Sequence, residues 1–203
     1  EKLCMEMWQA QGEKEGIAFS KELFYKCIGR NNKDTKQIVL DSLGHDFPYE
    51  DFRKKASLAM RENMDKNGPP KKPGLHELFS FLKLNNIKIA LATSTSRDSA
   101  VWMIKRAGID EYFEAFAFGN EVEHGKPAPD IFLHAASQLK VLPENCVVYE
   151  DSEAGLKAAH SAGMKSVFIK DLLLPSEAVL VNVWKSCTSL DDSINALKTL
   201  IAV

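Results

Sequence analysis

Val147-Val148-Tyr149-Glu150-Asp151-Ser152 decides the fold, because an apolar run of strand length stops at two adjacent carboxylates and Glu153-Ala154-Gly155-Leu156 then opens a helical pattern. Two neighbouring negative charges at the end of an apolar strand are costly unless something positive compensates them. The same punctuation occurs earlier, where Ile89-Ala90-Leu91-Ala92 runs into Thr93-Ser94-Thr95. Between the two lies the loop Gly125-Lys126-Pro127-Ala128-Pro129-Asp130. In an open parallel sheet the carboxyl ends of the strands line one crevice. Hydroxyls, a lysine and a carboxylate pair are therefore expected to meet at one rim.

Working outward, strands are predicted over 87–92, 115–118, 146–149 and 165–169, with helices over 75–84, 98–107, 131–139 and 153–162 between them. Gly108 and Gly163 stand just past two of these helices, where a left-handed residue ends a helix cheaply. Apolar strands separated by helices imply an α/β fold with a parallel sheet covered on both faces. The tail reads as a short strand over 179–184 and a last helix over 193–200. Residues 1–67 show helical periodicity only, with stripes such as Leu23, Phe24, Cys27 and Ile28. Asn67-Gly68-Pro69-Pro70-Lys71-Lys72-Pro73-Gly74 then stops helix and strand alike, which predicts a domain boundary: 1–67 helical, 68–203 α/β.

The bulk numbers bound the function. The 203 residues carry 26 Lys plus Arg against 28 Asp plus Glu, a net charge of −2, which argues against a nucleic-acid partner. Arg53-Lys54-Lys55 and Lys71-Lys72, the nearest thing to a basic cluster, read as solvated surface. With no apolar run near the roughly 20 residues of a membrane span and no signal-peptide pattern, a cytoplasmic protein without a membrane partner is expected, as a monomer or weak homodimer. Cys4, Cys27, Cys146 and Cys187 form no C-x-x-C pair and read as small hydrophobes.

Each cluster has a chemical and a bland reading. Thr93 and Ser94, with the free N–H groups of their turn, are good donors to phosphate oxygens; alternatively Ser96 or a neighbour merely caps the next helix. Lys126, between Gly125 and Pro127 with Pro129 holding the chain extended beyond it, can be aimed at a phosphoryl group, or is an ordinary loop lysine. A lysine acting only as a charge should be removable with little change in melting temperature. Glu150 and Asp151 suit a hard divalent cation such as Mg²⁺, which takes carboxylate oxygens, waters and substrate phosphate. Asp151 or Ser152 is also a fair N-cap, and both readings can hold together. Gly155, Ala158, Ala159 and Ala162 present a bare helix face that allows close approach to the sheet.

Taken together, Thr93-Ser94, Lys126 in Gly-Lys-Pro-x-Pro-Asp, and Glu150-Asp151-Ser152 leading to Gly155 and Ala162-Gly163-Met164 resemble motifs II, III and IV of the haloacid dehalogenase-like phosphohydrolases, in the branch of beta-phosphoglucomutase and small sugar-phosphate phosphatases. The resemblance implies a Rossmann-like core with an N-terminal helical cap, Mg²⁺ as cofactor, an aspartyl-phosphate intermediate, and a small phosphate monoester, a sugar phosphate or similar, as substrate. It implies that Thr93, helped by Ser94, holds the phosphoryl group, that Lys126 stabilises nucleophile and phosphate, and that Asp151 with Glu150 positions the metal.

The family's first motif, an aspartate with a second two residues on, follows an apolar strand, and Glu1-Lys2-Leu3 resembles the point just after it. The expectation is that the first core strand and its nucleophile lie upstream, and that residues 1–203 alone are inactive for lack of an acceptor. Gly29-Arg30-Asn31-Asn32 resembles the cap's specificity loop, which implies Arg30 and Asn31 as substrate contacts; the alternative is a connecting turn with a solvated arginine. Cys4 falls where the mutase offers a histidine for proton transfer, which favours a phosphatase over a phosphosugar mutase. A non-catalytic phosphate-binding module is the reading from another class, if the nucleophile is truly absent.

Overall fold

The computed structural model describes residues 1–201. Four helices come first: α1 (Lys2–Glu15), α2 (Lys21–Cys27), α3 (Asn32–Leu43) and α4 (Tyr49–Asn67). They bury a cluster of their own, in which Trp8 packs edge-on against Phe19 and Phe52 at ring-centroid distances of 5.0 and 5.7 Å. Aromatic rings prefer such edge-to-face contacts because the positive ring edge meets a negative face. Ser20 and Asn31 open α2 and α3 by accepting hydrogen bonds from the N–H groups of Leu23 and Asp34.

After residues 68–74, which carry no regular element, the chain alternates: α5 (Leu75–Leu84), β1 (Ala90–Thr93), α6 (Arg97–Ala107), β2 (Ala115–Phe118), α7 (Asp130–Leu139), β3 (Val147–Glu150), α8 (Glu153–Ser161) and β4 (Lys165–Ile169). The short α9 (Glu177–Leu180), β5 (Lys185–Cys187) and α10 (Ile194–Ile201) complete it. Gly108 and Gly163 end their helices in the left-handed conformation, at φ 67° and 73°. The tail corrects the expected strand over 179–184. Ser176 starts a helical turn there instead, and extended pairing with β4 begins only at Lys185, after the Trp184 N–H donates to the Ser166 carbonyl.

All strand pairs are parallel, as the helix–strand alternation requires, but they form two sheets rather than one: β1 with β2, and β3 with β4 and β5. Among the described residues, no strand precedes β1 and none pairs its free edge or that of β3. The two sheets share helical cover nonetheless. Ala90, Ala92 and Ala117 pack with Val148 beneath Ile131, Phe132, Ala158 and Ala159 on one face. Val147, Tyr149, Val167 and Ile169 pack with Leu78, Phe79, Leu82 and Leu197 on the other. Alternate residues of β3 thus serve opposite faces, the period-2 signature of a strand covered on both sides. This is an α/β, Rossmann-like core, and its strands' C-terminal ends carry the polar clusters to one side.

Candidate active site

Thr93 and Glu150 are the last residues of β1 and β3, and both line one cavity of about 460 Å³ together with Ser94, Lys126 and Asp151. The cavity enters between the free edges of the two sheets, with Leu91 on one wall and Tyr149 on the other. Helices α1, α2 and α4 roof it through Cys4, Trp8, Phe24, Arg53 and Arg61. The convergence expected from strand ends alone is therefore present, 33 residues separating Thr93 from Lys126 and 24 more separating Lys126 from Glu150.

Lys126 and Glu150 form a buried ion pair, Nζ to Oε2 2.7 Å, with only 6% and 8% of their side chains exposed. The other carboxylate oxygen, Oε1, accepts from the backbone N–H groups of Asp151 (3.1 Å) and Ser152 (3.0 Å) and from the Ser152 hydroxyl (2.8 Å). Burial pushes the Glu150 carboxyl up, but the Lys126 ammonium and the Ser152 donors outweigh it and hold it below its ordinary value. Glu150 is thus an ionised strut with both oxygens engaged inside the protein. The ammonium also lies 4.7 Å from the centre of the Phe132 ring, a further constraint on where it points. This corrects the view of Lys126 as a detachable charge, since its removal would leave Glu150 buried and unpaired.

Ser152 caps α8, its hydroxyl oxygen accepting from the Gly155 N–H at 3.0 Å while its proton goes to Glu150. A Cβ on Gly155 would collide with the Glu150 carboxyl group, so this glycine makes room for the carboxylate as well as for the sheet. Ala158 and Ala159 are fully buried on the same helix.

Asp151 faces a different neighbourhood. The Lys72 ammonium lies 3.6 Å from its Oδ2 and 3.1 Å from the Asp171 carboxylate. Burial and the Glu150 charge push the Asp151 carboxyl up to about 7, against the pull of Lys72. For Asp171, Lys72 and Asp151 outweigh burial and the carboxyl is held low. The reading of Lys71-Lys72 as solvated surface is corrected in part: Lys71 is exposed, whereas Lys72 is half-buried between two aspartates. Among the described residues, no three His, Cys, Asp or Glu side chains assemble as a ready metal cage. Mg²⁺ needs none, since it is held by one or two carboxylates and completes its shell with water and substrate phosphate. A carboxyl raised by burial and by the Glu150 charge is the chemistry that such an ion relieves, so Asp151 fits it.

The hydroxyls divide. Thr93 Oγ1 accepts from the Thr95 N–H at 3.2 Å, which leaves its own proton free for a ligand. The Ser94 hydroxyl instead donates to the Gly29 carbonyl at 2.9 Å, tying β1 to the helical N-terminal part. Ser96 stands at the start of α6 without capping it through its side chain. Arg30 lines the cavity and spends one guanidinium N–H on the Lys126 carbonyl at 3.1 Å. Asn31 caps α3 and lies against Gly125 of the lysine loop.

Sequence reasoning missed Lys72 and Asp171, and it missed Arg53 and Arg61. Arg53 was grouped with the solvated Lys54 and Lys55, yet it is half-buried in the cavity wall. The available signal was spacing, since positions 53, 57 and 61 fall on one helical face. Cys4 also lines the cavity, and burial pushes its thiol up to about 12, so it stays protonated.

The haloacid dehalogenase-like hydrolase family matches residues 3–163. A phosphorylated carbohydrates phosphatase of Thermotoga maritima is 30% identical over 99% of this chain and 93% of its own length. A beta-phosphoglucomutase of Bacillus subtilis is 34% identical over 79% of this chain and 73% of its own length. The crystal structure of a beta-phosphoglucomutase from Clostridium difficile superposes with a TM-score of 0.82 at 23% identity, covering 99% of this chain and 90% of that one, a likeness of fold. With strand-end hydroxyl, loop lysine and paired carboxylates gathered around one cavity, and with a match that takes in all three, the chain belongs to the haloacid dehalogenase-like hydrolase family.

Proposed function

We propose that this protein is a Mg²⁺-dependent phosphatase that hydrolyses a small phosphate monoester, a sugar phosphate or similar, with residues 1–67 acting as its cap. The observation that carries the reading is the convergence of Thr93, Lys126 and Asp151 on one cavity, with Lys126 locked in place by Glu150. Lys126 neutralises phosphoryl oxygens as negative charge builds on them, and it needs little reorganisation because its partner already fixes it. Thr93 donates its free hydroxyl proton to a phosphoryl oxygen. Asp151 would hold Mg²⁺, with Glu150 keeping Lys126 aligned beside it; the ion, when bound, offsets phosphate charge. The phosphoryl acceptor is proposed to be an aspartate outside these 203 residues, in line with the family resemblance.

The phosphosugar mutase reading is less well supported. A mutase needs a group that moves protons to and from sugar hydroxyls, and a thiol pushed up to about 12 at Cys4 is a poor one near neutrality. The test is phosphate release by the full-length protein from a panel of sugar phosphates, with Mg²⁺ and with EDTA. Release that depends on Mg²⁺ is expected. Absence of release from every ester, with phosphate still binding, would leave the non-catalytic module.

A further inference from the structure

A second cavity, of about 310 Å³, lies between the C-terminal half of α8, the start of β4, and α9 with the turn after it, and it shares no lining residue with the catalytic one. The buried Leu156 and Val179 and the partly buried Val183 make its lining apolar. Ser166 stands among them. Side chains alternate along β4, so Ser166 shares a face with Phe168, which packs against Leu156 and Val179. A strand position on that face calls for an apolar residue. Ser166 is only 3% exposed, and among the described residues its hydroxyl has no hydrogen-bond partner, unlike those of the buried Ser152 and Ser193. Among the described residues, no side-chain N or O atom is both sealed from solvent and unpartnered. The Ser166 hydroxyl therefore keeps an opening, and the cavity that it lines supplies it.

The rest of the lining is polar and includes no carboxylate. Lys157 and His160 stand three residues apart on α8 and hence on one side of it. The Lys157 ammonium pairs with Glu153 at 2.5 Å on the exposed surface, which leaves it further N–H donors. The last carbonyls of α8, which would repel an anion, are taken by the N–H groups of Ala162, Gly163 and Met164. Asn182 spends an amide N–H on the Ala178 carbonyl and keeps its own oxygen as an acceptor. A hydroxyl left unpaired in apolar surroundings costs free energy that a ligand's polar group recovers. Apolar walls with a few convergent polar groups, at this volume, are the common form of a small-molecule site. We propose that this cavity binds a compact organic acid, its carboxylate at Lys157 and His160, its apolar body against Leu156, Val179 and Val183, and a hydroxyl at its inner end paired with Ser166. The site stands independently of the phosphatase chemistry.

Calorimetry on the full-length protein tests this with three probes: para-hydroxyphenylacetate, phenylacetate, which lacks the hydroxyl, and para-hydroxyphenylethanol, which lacks the carboxylate. The first should bind tightest, and each missing group should weaken binding by about three- to tenfold, the value of one hydrogen bond. In Ser166→Ala the two acids should bind alike, and the variant should melt no lower than its parent, since its hydroxyl has no partner to lose. Lys157→Met should shrink the gap between acid and alcohol. Saturating inorganic phosphate should not displace the probe. No binding by any of the three, a ratio between the two acids that Ser166→Ala leaves unchanged, or displacement by phosphate, which would move the probe to the catalytic cavity, would overturn the proposal. A Ser166→Ala protein that melts well below its parent would overturn it too, because the hydroxyl would then be engaged within the fold.

Discussion

Lys126 and Glu150 stand 2.7 Å apart with 6% and 8% of their side chains exposed and, among the described residues, have no other ion-pair partner; three donors from Asp151 and Ser152 hold the second Glu150 oxygen. Such a pair adds little net stability, but breaking it strands a charge. Lys126→Ala is therefore predicted to cost about 3–5 kcal/mol of folding stability and to lower phosphatase turnover by about 10²–10³-fold. Glu150→Gln should be destabilising as well, since its one amide oxygen cannot accept both from Lys126 and from the three donors that Oε1 satisfies, and the amide NH2 would face a donor. Urea melts and phosphate-release rates on both variants decide it, and a Lys126→Ala protein as stable as its parent would show that the pair is not closed in solution.

Asp151 makes a pH prediction of the opposite sense to an ordinary ion-paired carboxylate. Its carboxyl is raised from 3.8 to about 7, so the fold binds this proton more tightly than the unfolded chain does. Its contribution is fully present below the unfolded value and is lost as pH rises through the folded one. Metal-free protein should thus lose roughly 1–4 kcal/mol between about pH 4 and 8 from this group. Asp151→Asn should remove that slope, melt higher than the parent in EDTA at pH 8, and abolish Mg²⁺-dependent turnover. Added Mg²⁺ should raise the parent's melting temperature and not the variant's. Parallel pH slopes for the two proteins would exclude the role.

Much of this site was legible because strand ends are legible. The expected strands over 115–118 and 165–169 coincide with β2 and β4, and the runs ending at Thr93 and Glu150 could be placed at one rim by the parallel-sheet rule alone. What stayed hidden depended on partners distant in the chain. Nothing near Lys72 announces that Asp151 and Asp171 will flank it, and Arg53 looks like its neighbours Lys54 and Lys55 until α4 is laid over α6. The split of the sheet was also unreadable, since apolar runs report burial and not which neighbour pairs with which edge. Over 179–184 the expected strand fails because the turn of helix after Ser176 takes in Val179 and Leu180, and the residues up to Trp184 form a turn before β5 begins.

Gly155 sets propensity against packing. On propensity alone, Gly155→Ala in the first turn of α8 should stabilise the helix by up to about 1 kcal/mol. The new methyl would meet the Glu150 carboxyl, which is pinned by Lys126 and cannot swing aside. Overpacking of this kind costs about 1–3 kcal/mol, so packing wins. The variant should be less stable than its parent, and its turnover should fall because Lys126 follows Glu150. A gain in stability with full activity would mean that Glu150 is looser than its hydrogen bonds imply.

Ser94 separates a phosphate ligand from a latch. A hydroxyl that holds the transferred phosphoryl group is worth about 10²–10³-fold in turnover, as other preorganised donors to a developing anion are. In this structure the Ser94 hydroxyl donates to the Gly29 carbonyl, in the same loop whose Arg30 donates to the Lys126 carbonyl. Losing one such neutral hydrogen bond costs about 0.5–1.5 kcal/mol, and that energy sits in the closure of the helical part over the rim and not in the chemical step. Ser94→Ala is therefore predicted to raise KM by less than about tenfold and to leave kcat within about threefold. Arg30→Met should behave alike, and the double variant should show less than the sum of the two, because both act on one closure. Steady-state kinetics on the four proteins test this. A hundredfold fall in kcat for Ser94→Ala would return its hydroxyl to the phosphoryl group.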